Sequence, residues 1–321
     1  MKGELPIEKP LQELEAKILE LKKLSAHADI DLSAEINALE EKARNFKRDF
    51  FQNLNPWDKV KVARHPQRPF TLDIVEKIFQ DFTELHGDRI FRDDPAIIGG
   101  PAFLDGQRVM VMGHQKGRDT KKNLARNFGM PYPEGFKKAA RLMKMAEKFS
   151  LPIISFIDTP GAYPGIGAEE RGQFVAIAEN LLLMSLLKVP VIVVVIGEGG
   201  SGGALGISVG DRILMLEHSI YSVISPEGCA SILWRDASKA DEAAKALKLT
   251  AQDLIKFNII DEIIPEPLEG AHTDIDFTAE NIKIAIKRNL EEIKKVPVNK
   301  IVELRYEKYR KIGVFKESSD A

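Results

Sequence analysis

Cysteine is nearly absent from this chain: the single thiol, Cys229, excludes an intramolecular disulfide framework and a cysteine-built zinc site within the chain. Excess charge of one sign is missing too. The 46 basic residues face 48 acidic ones, so no global field points to nucleic acid or a membrane surface. Aromatics make up only 7 % of residues and do not interleave with the basic ones, which argues against a single-strand stacking platform. No apolar run reaches the length of a membrane span and no N-terminal stretch resembles a signal peptide, so a soluble, cytoplasmic protein is expected. A length of 321 residues suffices for one large domain with a smaller appendage.

What the chain has is a β-branched run followed by glycine. Val191-Ile-Val-Val-Val-Ile196 reads as a parallel strand buried on both faces. Gly197-Glu-Gly-Gly-Ser-Gly-Gly203 follows, and its five glycines let the backbone approach a ligand with N–H groups exposed. The weakly polar run from Ala204 to Val209 is expected to turn into a helix that aims free amides into the loop. A loop of this kind binds an anion, or an oxygen on which negative charge develops, through main chain.

The first fifty residues differ from the rest. Leu11, Leu14, Ile18, Leu21 and Leu24 recur at helical spacing, and after a break at 29–33 the stripe resumes with Ile36, Leu39, Ala43, Phe46 and Phe50. Two amphipathic helices in a hairpin are predicted, either packed on their own domain or offering a face to another subunit. The organisation read from these shifts is a hairpin over 1–55, a core over 56–270 and C-terminal helices over 271–321. In the core, Thr71 is expected to cap a helix carrying Ile74, Val75, Ile78, Phe79 and Phe82. Strands at 97–104 and 108–115 join through Asp105-Gly106, and a helix spans 134–149. Ile153 to Ile157 feeds a loop, Asp158-Thr-Pro-Gly-Ala-Tyr-Pro-Gly165, and a long helix from Glu169 to Leu187. Further strands near 213–216 and 221–224, helices at 239–247 and 251–256, and an apolar run at 259–264 precede helices at 279–295 and 300–311. Such alternation predicts an α/β domain.

The glycine loop supports three chemistries. Gly197, Gly199 and Gly202 fit G-x-G-x-x-G with Glu217 beyond the next strand, a dinucleotide fingerprint, although the helix that follows is short for a Rossmann unit. Gly199-Gly-Ser201-Gly-Gly203 fits G-x-S-x-G, a nucleophile elbow that needs a later histidine such as His218 or His272. In the third reading both glycine-containing loops, each following a neighbouring parallel strand, converge their amides on one carbonyl oxygen. One such donor is worth about 3–4 kcal/mol of transition-state stabilisation.

Several longer motifs bear on this choice: Gly113-His-Gln-Lys-Gly-Arg118, Arg126-Asn-Phe-Gly-Met-Pro131, Phe156-Ile-Asp-Thr-Pro-Gly-Ala-Tyr-Pro-Gly165, Gly167-Ala-Glu-Glu-Arg-Gly172, Gly197 to Leu205, and Tyr221-Ser-Val-Ile-Ser-Pro-Glu-Gly-Cys-Ala-Ser-Ile-Leu-Trp234. In these the chain resembles the carboxyltransferase α subunits of bacterial acetyl-CoA carboxylase, over nearly its whole length. The resemblance implies an α/β, crotonase-like (ββα)n superhelix with an N-terminal helical hairpin and C-terminal helices. It implies a zinc-bearing β subunit as partner in an α2β2 assembly, and transfer of a carboxyl group from carboxybiotin on the biotin carboxyl carrier protein, loaded by biotin carboxylase, to acetyl-CoA, giving malonyl-CoA. It places Gly202, Gly203 and Ala204 on the biotin ureido oxygen, with Gly161, Ala162, Tyr163, Gly199, Gly200 and Ser201 as substrate-binding neighbours. Biotin is not attached to this chain and no metal is expected in it. Loss of the carboxyl group leaves negative charge on the ureido oxygen and N1, which main-chain donors stabilise without a protein base.

Individual residues carry blander expectations. Asp158 anchors its loop by accepting backbone hydrogen bonds. Tyr163 either packs the loop, as aromatics more often do, or stacks on a ring. Glu169, Glu170 and Arg171 begin a helix. Cys229 is buried and inert, and Arg235 either pairs with a carboxylate or ends a helix. The basic stretch Lys116, Arg118, Lys121, Lys122 and Arg126 is either a solvated loop or a contact for CoA phosphates or an acidic partner.

Overall fold

The computed structural model describes residues 5–28 and 31–313. The helical hairpin is formed by α1 (Glu8–Ala28) and α2 (Ser33–Gln52), and residues 29 and 30 of the expected break lie outside the described residues. Phe51 and Ile7 fasten the hairpin's base to Val62 of α3 (Pro56–Ala63). The next helix, α4 (Thr71–Ile78), begins without a threonine cap. Phe70 is the N-cap residue and its N–H donates to the Asp73 carboxylate, while Thr71 is buried. Phe79 and Phe82 lie beyond the end of α4.

The sheet begins with the antiparallel pair β1 (Ile97–Leu104) and β2 (Gln107–His114), in the register Ile97↔His114. After the short α5 (Thr120–Ala125) and α6 (Pro133–Lys148) comes β3 (Ile153–Thr159), parallel to β2. The long helix expected over 169–187 is two helices, α7 (Ile166–Glu170) and α8 (Gln173–Leu186). Gly172, at φ 81°, turns the chain between them, and Arg171 closes α7 instead of opening a helix. The central strand β4 (Val191–Gly200) is parallel to β3 and leads into the five-residue α9 (Ser201–Leu205). Next come β5 (Arg212–Leu216), β6 (Ile220–Ser222) and α10 (Pro226–Trp234), the last in a stretch for which the sequence reading gave no helix bounds. Then α11 (Ala240–Leu247), α12 (Ala251–Lys256), β7 (Glu262–Ile264), α13 (Ile275–Lys294) and α14 (Val298–Arg310) complete the described chain. The sheet order is β1-β2-β3-β4-β5-β7, with β6 paired to the far end of β4.

Strand β4 shows why a near-continuous apolar run is needed at the centre. Alternate side chains face opposite layers. Val191, Val193 and Val195 pack with Phe136, Leu142 and Met184 from α6 and α8. Ile192, Val194 and Ile196 pack with Ile74, Ile282 and Ile286 from α4 and α13. Each such side chain is worth about 1.5–3 kcal/mol when fully buried. Two buried arginines tie outlying segments to this core. Arg68 donates to the Ile196 carbonyl (2.6 Å) and to both oxygens of Glu266 (2.6 and 2.8 Å), so the Pro-rich connection before α4 is anchored. Arg305 on α14 holds Asp211 through two 2.9 Å bonds and also donates to the carbonyls of Met184, Leu187 and Val189.

Candidate active site

Because β3 and β4 are parallel neighbours, the loops that follow them leave the same sheet edge. They come closer than strand order alone requires. Pairing resumes beyond a register shift after Ile157, with Thr159 opposite Gly199, so β4 continues into what reads as a loop. A β-carbon added to Gly203 would lie 2.2 Å from the Gly161 carbonyl carbon and 2.4 Å from the Ala162 nitrogen. One added to Gly200 would lie 2.2 Å from the Pro160 oxygen. Backbone therefore rests on backbone here, and only glycine allows it.

The availability of amides follows from helix geometry. N–H groups in a first helical turn have no acceptor within the helix, and none of Gly202, Gly203 and Ala204 donates to a backbone acceptor outside α9 among the described residues. On the facing loop, the Gly161 N–H is taken by Thr159 Oγ1 (3.1 Å) and the Tyr163 N–H by the Pro131 carbonyl (3.0 Å). Ala162 is the residue there whose amide is left over. Tyr163 packs against Tyr132 with ring centroids 4.3 Å apart, in keeping with a space-filling role.

Beneath the loops lies a chain of ions that sequence reasoning missed. Lys116 Nζ donates to Asp158 Oδ1 (2.7 Å) and Glu198 Oε1 (3.1 Å). Arg64 donates to Glu198 Oε2 (2.8 Å) and to Glu227 Oε1 (2.6 Å). Asp158 also accepts the Glu198 N–H (3.1 Å), so it anchors the neighbouring loop rather than its own. A β-carbon at Gly197 would meet Asp158 Oδ1 at 2.3 Å, so glycine is required to seat that carboxylate. Burial pushes Glu198 upward, but Lys116 and Arg64 outweigh it and bring its pKa down to about 2. Burial works to lower Lys116, and Asp158 and Glu198 overcome it and raise its pKa. Both groups are thus locked as ions near neutral pH. They can brace the loops but neither offers nor accepts a proton near neutral pH.

The basic stretch divides. Lys116 is turned inward and engaged in this network. Arg118 pairs with Asp73 and covers the Phe70 ring at 4.1 Å. Arg126 donates to the Pro95 carbonyl (2.7 Å). Lys121 is exposed, and Lys122, also exposed, stands 3.6 Å from Asp119. Cys229 is buried, and Arg235, at φ 55°, ends α10.

The competing chemistries meet obstacles. Helix α9 has five residues, too few for a Rossmann unit. Ser201 does sit at φ 49°, as an elbow nucleophile would, but no histidine is hydrogen-bonded to it among the described residues. Among the described residues no group of three or more His, Cys, Asp or Glu side chains is arranged to hold a metal, and no helix is long and apolar enough to cross a membrane.

The fold has known counterparts. A solved transcarboxylase 12S chain superposes with a TM-score of 0.55 at 19% identity, over 79% of this chain and 44% of that one, so this chain spans under half of its length. A Pseudomonas malonate decarboxylase hetero-tetramer in complex with coenzyme A matches with a TM-score of 0.54 at 17% identity, over 66% of this chain and 85% of that one. The fold is thus the α/β, crotonase-like one of carboxyltransferases. A family model described as acetyl co-enzyme A carboxylase carboxyltransferase-like matches residues 4–313. The acetyl-coenzyme A carboxylase carboxyl transferase subunit alpha of Geobacter metallireducens is 59% identical over 98% of both chains. That of Thermus thermophilus is 55% identical over 98% of this chain and 99% of its own. The chain belongs to the family of acetyl-CoA carboxylase carboxyltransferase α subunits, which are transferases.

Proposed function

We propose that this chain supplies the biotin side of a carboxyl transfer from carboxybiotin, carried on a separate protein, to acetyl-CoA, giving malonyl-CoA in the cytoplasm. Carboxybiotin is a substrate here, delivered by the carrier protein after loading by biotin carboxylase. The amides of Gly202, Gly203 and Ala204, with Ala162 opposite, receive the ureido oxygen as negative charge builds on it. Gly161, Tyr163, Gly199, Gly200 and Ser201 shape the cleft around it. The observation that carries this reading is the contact of Gly203 with the Gly161–Ala162 peptide, which gathers unpaired donors from two strands at one point. Preorganised donors in such a place act without reorganisation when the leaving group forms.

The acyl-CoA side belongs to a β partner that bears the zinc, in an α2β2 assembly. Exposed apolar side chains support a partner: Ile166 and Phe174 are 76% and 70% exposed, and Val223, Ile232 and Leu233 stand out near α10. Lys121 and Lys122 remain available to CoA phosphates or to acidic groups of that partner. The test is malonyl-CoA formation from carboxybiotin and acetyl-CoA by the chain with and without the β partner. Turnover is expected only with both. Micromolar binding of NAD by the chain alone would favour a dinucleotide site, and full assembly without transfer would reduce the chain to a scaffold.

A further inference from the structure

His114 is the last residue of β2 and is completely buried. Its Nε2 lies 3.2 Å from the carbonyl oxygen of Gly203, across 89 residues of sequence. A carbonyl only accepts, so Nε2 carries the hydrogen and donates it, and Nδ1 is the bare nitrogen. Nδ1 is buried and makes no hydrogen bond among the described residues, as is also true of His218 and His272, and the Phe156 backbone beside the ring acts to raise its pKa. The residue is held tightly: its own carbonyl accepts from Thr71 Oγ1 at 2.5 Å, and the Gln115 N–H beside it donates to Ala96.

We propose that His114 is a positioning residue for the carboxyl transfer, orienting the Gly203–Ala204 peptide so that its N–H is presented to the ureido oxygen. In a trans peptide the C=O and the following N–H are antiparallel within one rigid plane. A ring that grips the Gly203 oxygen therefore fixes the direction of the Ala204 N–H on the opposite side. Glycine on either side of Ser201 leaves this segment free to rotate, so without the grip the plane is held on one edge only. Donation to the carbonyl also polarises the peptide and strengthens its N–H as a donor. The ring does this without adding charge: burial, with Lys116 adding to it, outweighs the Gly203 and Phe156 backbone, which act to raise it, and lowers its pKa to about 3. It cannot serve as the base of the reaction, since Nδ1 is shut off from solvent and Nε2 is committed to the Gly203 carbonyl.

This inference rests on the amide reading above, and the test separates the two. In the assembled enzyme with its β partner, His114→Leu, which keeps volume but loses the donor, is expected to lower kcat by about 10²-fold, the scale of a misplaced reacting geometry. KM for the acyl-CoA, bound by the partner, should stay unchanged. His114→Gln, whose amide can still donate, should recover about tenfold of that loss. Unchanged kcat in His114→Leu overturns the positioning role, and so does a loss that His114→Gln fails to recover. Gly203→Ala in the same assay tests the amides themselves: if it retains turnover, the amide reading falls irrespective of His114. If His114→Leu does not assemble, ¹⁵N-histidine spectra of the unmodified enzyme decide. A neutral Nε2–H tautomer at pH 7 is expected, and an Nδ1–H tautomer or an imidazolium overturns the proposal.

Discussion

The loop edge of the sheet and the N-terminal hairpin use charge in opposite ways. Under the loops, Lys116, Asp158 and Glu198 are shut away from water, with side chains 14%, 4% and 10% exposed, and every one of them is paired. In the hairpin, Lys22 and Glu40 meet at 2.7 Å while 53% and 30% exposed, beside apolar side chains such as Leu19, Leu24 and Phe46 that also face solvent. A buried ion without its partner is costly, whereas an exposed pair exchanges one hydrated state for another. The first arrangement fixes the strand ends on which the proposed site is built. The second lies on the surface of a helix pair whose stripe is largely covered, with Ile18 buried and only Leu24 and Phe46 of its members exposed.

The sharpest way to break the contrast is at Gly203, where a methyl group has nowhere to go. Gly203→Ala should reduce transfer by at least about 10³-fold as the two loops part, judged by malonyl-CoA formation with assembly checked by size exclusion. Next is Lys116→Met, which leaves the Asp158 and Glu198 carboxylates facing each other without the cation between them. A loss of about 3–5 kcal/mol in urea unfolding is expected, and a loss of a few tenths would place the network among surface pairs. A third measurement sharpens the comparison through pH. His114 falls from an ordinary 6.5 to about 3 in the fold, so its contribution is complete above pH 6.5 and disappears as pH drops toward 3. Glu198, lowered from 4.5 to about 2, likewise contributes fully above pH 4.5 and loses that contribution as pH falls toward 2. Asp94, raised by burial to about 6, runs the other way, its penalty easing between pH 6 and 3.8, and partly offsets the loss. Unfolding free energy should therefore decline on acidification from pH 6.5, with a shallower slope in His114→Leu. The smallest effects are expected of Ser201→Ala, which should keep turnover near that of the parent because no side-chain chemistry is asked of it, and of Lys22→Ala, which should leave the unfolding midpoint in place. Loss of turnover in Ser201→Ala would revive the nucleophile elbow.

The difference also explains what could be read in the sequence. Strands β3 and β4 were legible because burial on both faces demands an unbroken β-branched run, and the hairpin was legible because its stripes repeat at helical spacing. The extension of β4 through Gly200 was not, since glycine carries no strand signal and only pairing with Thr159 and Ile220 makes it one. Helix α10 was hidden by Gly228 in its first turn; its Ser225 cap and Pro226 start are visible only in retrospect. The break at Gly172 lay inside a pattern that continued on both sides. The partners of Glu198 lie 134 and 82 residues away, at Arg64 and Lys116, and no local pattern announces a contact of that range. The grip of His114 on Gly203 was lost for the same reason.

Arg305 imposes an order on synthesis. The carbonyls it satisfies belong to the end of α8 and the approach to β4, and the carboxylate it neutralises stands just ahead of β5. A ribosome releases these segments 94 to 121 residues before the arginine that closes them, so Asp211 waits without its cation until the last described helix emerges. A nascent chain stalled short of position 305 is therefore expected to leave the Met184, Leu187 and Val189 carbonyls and the Asp211 carboxylate without the guanidinium that joins them.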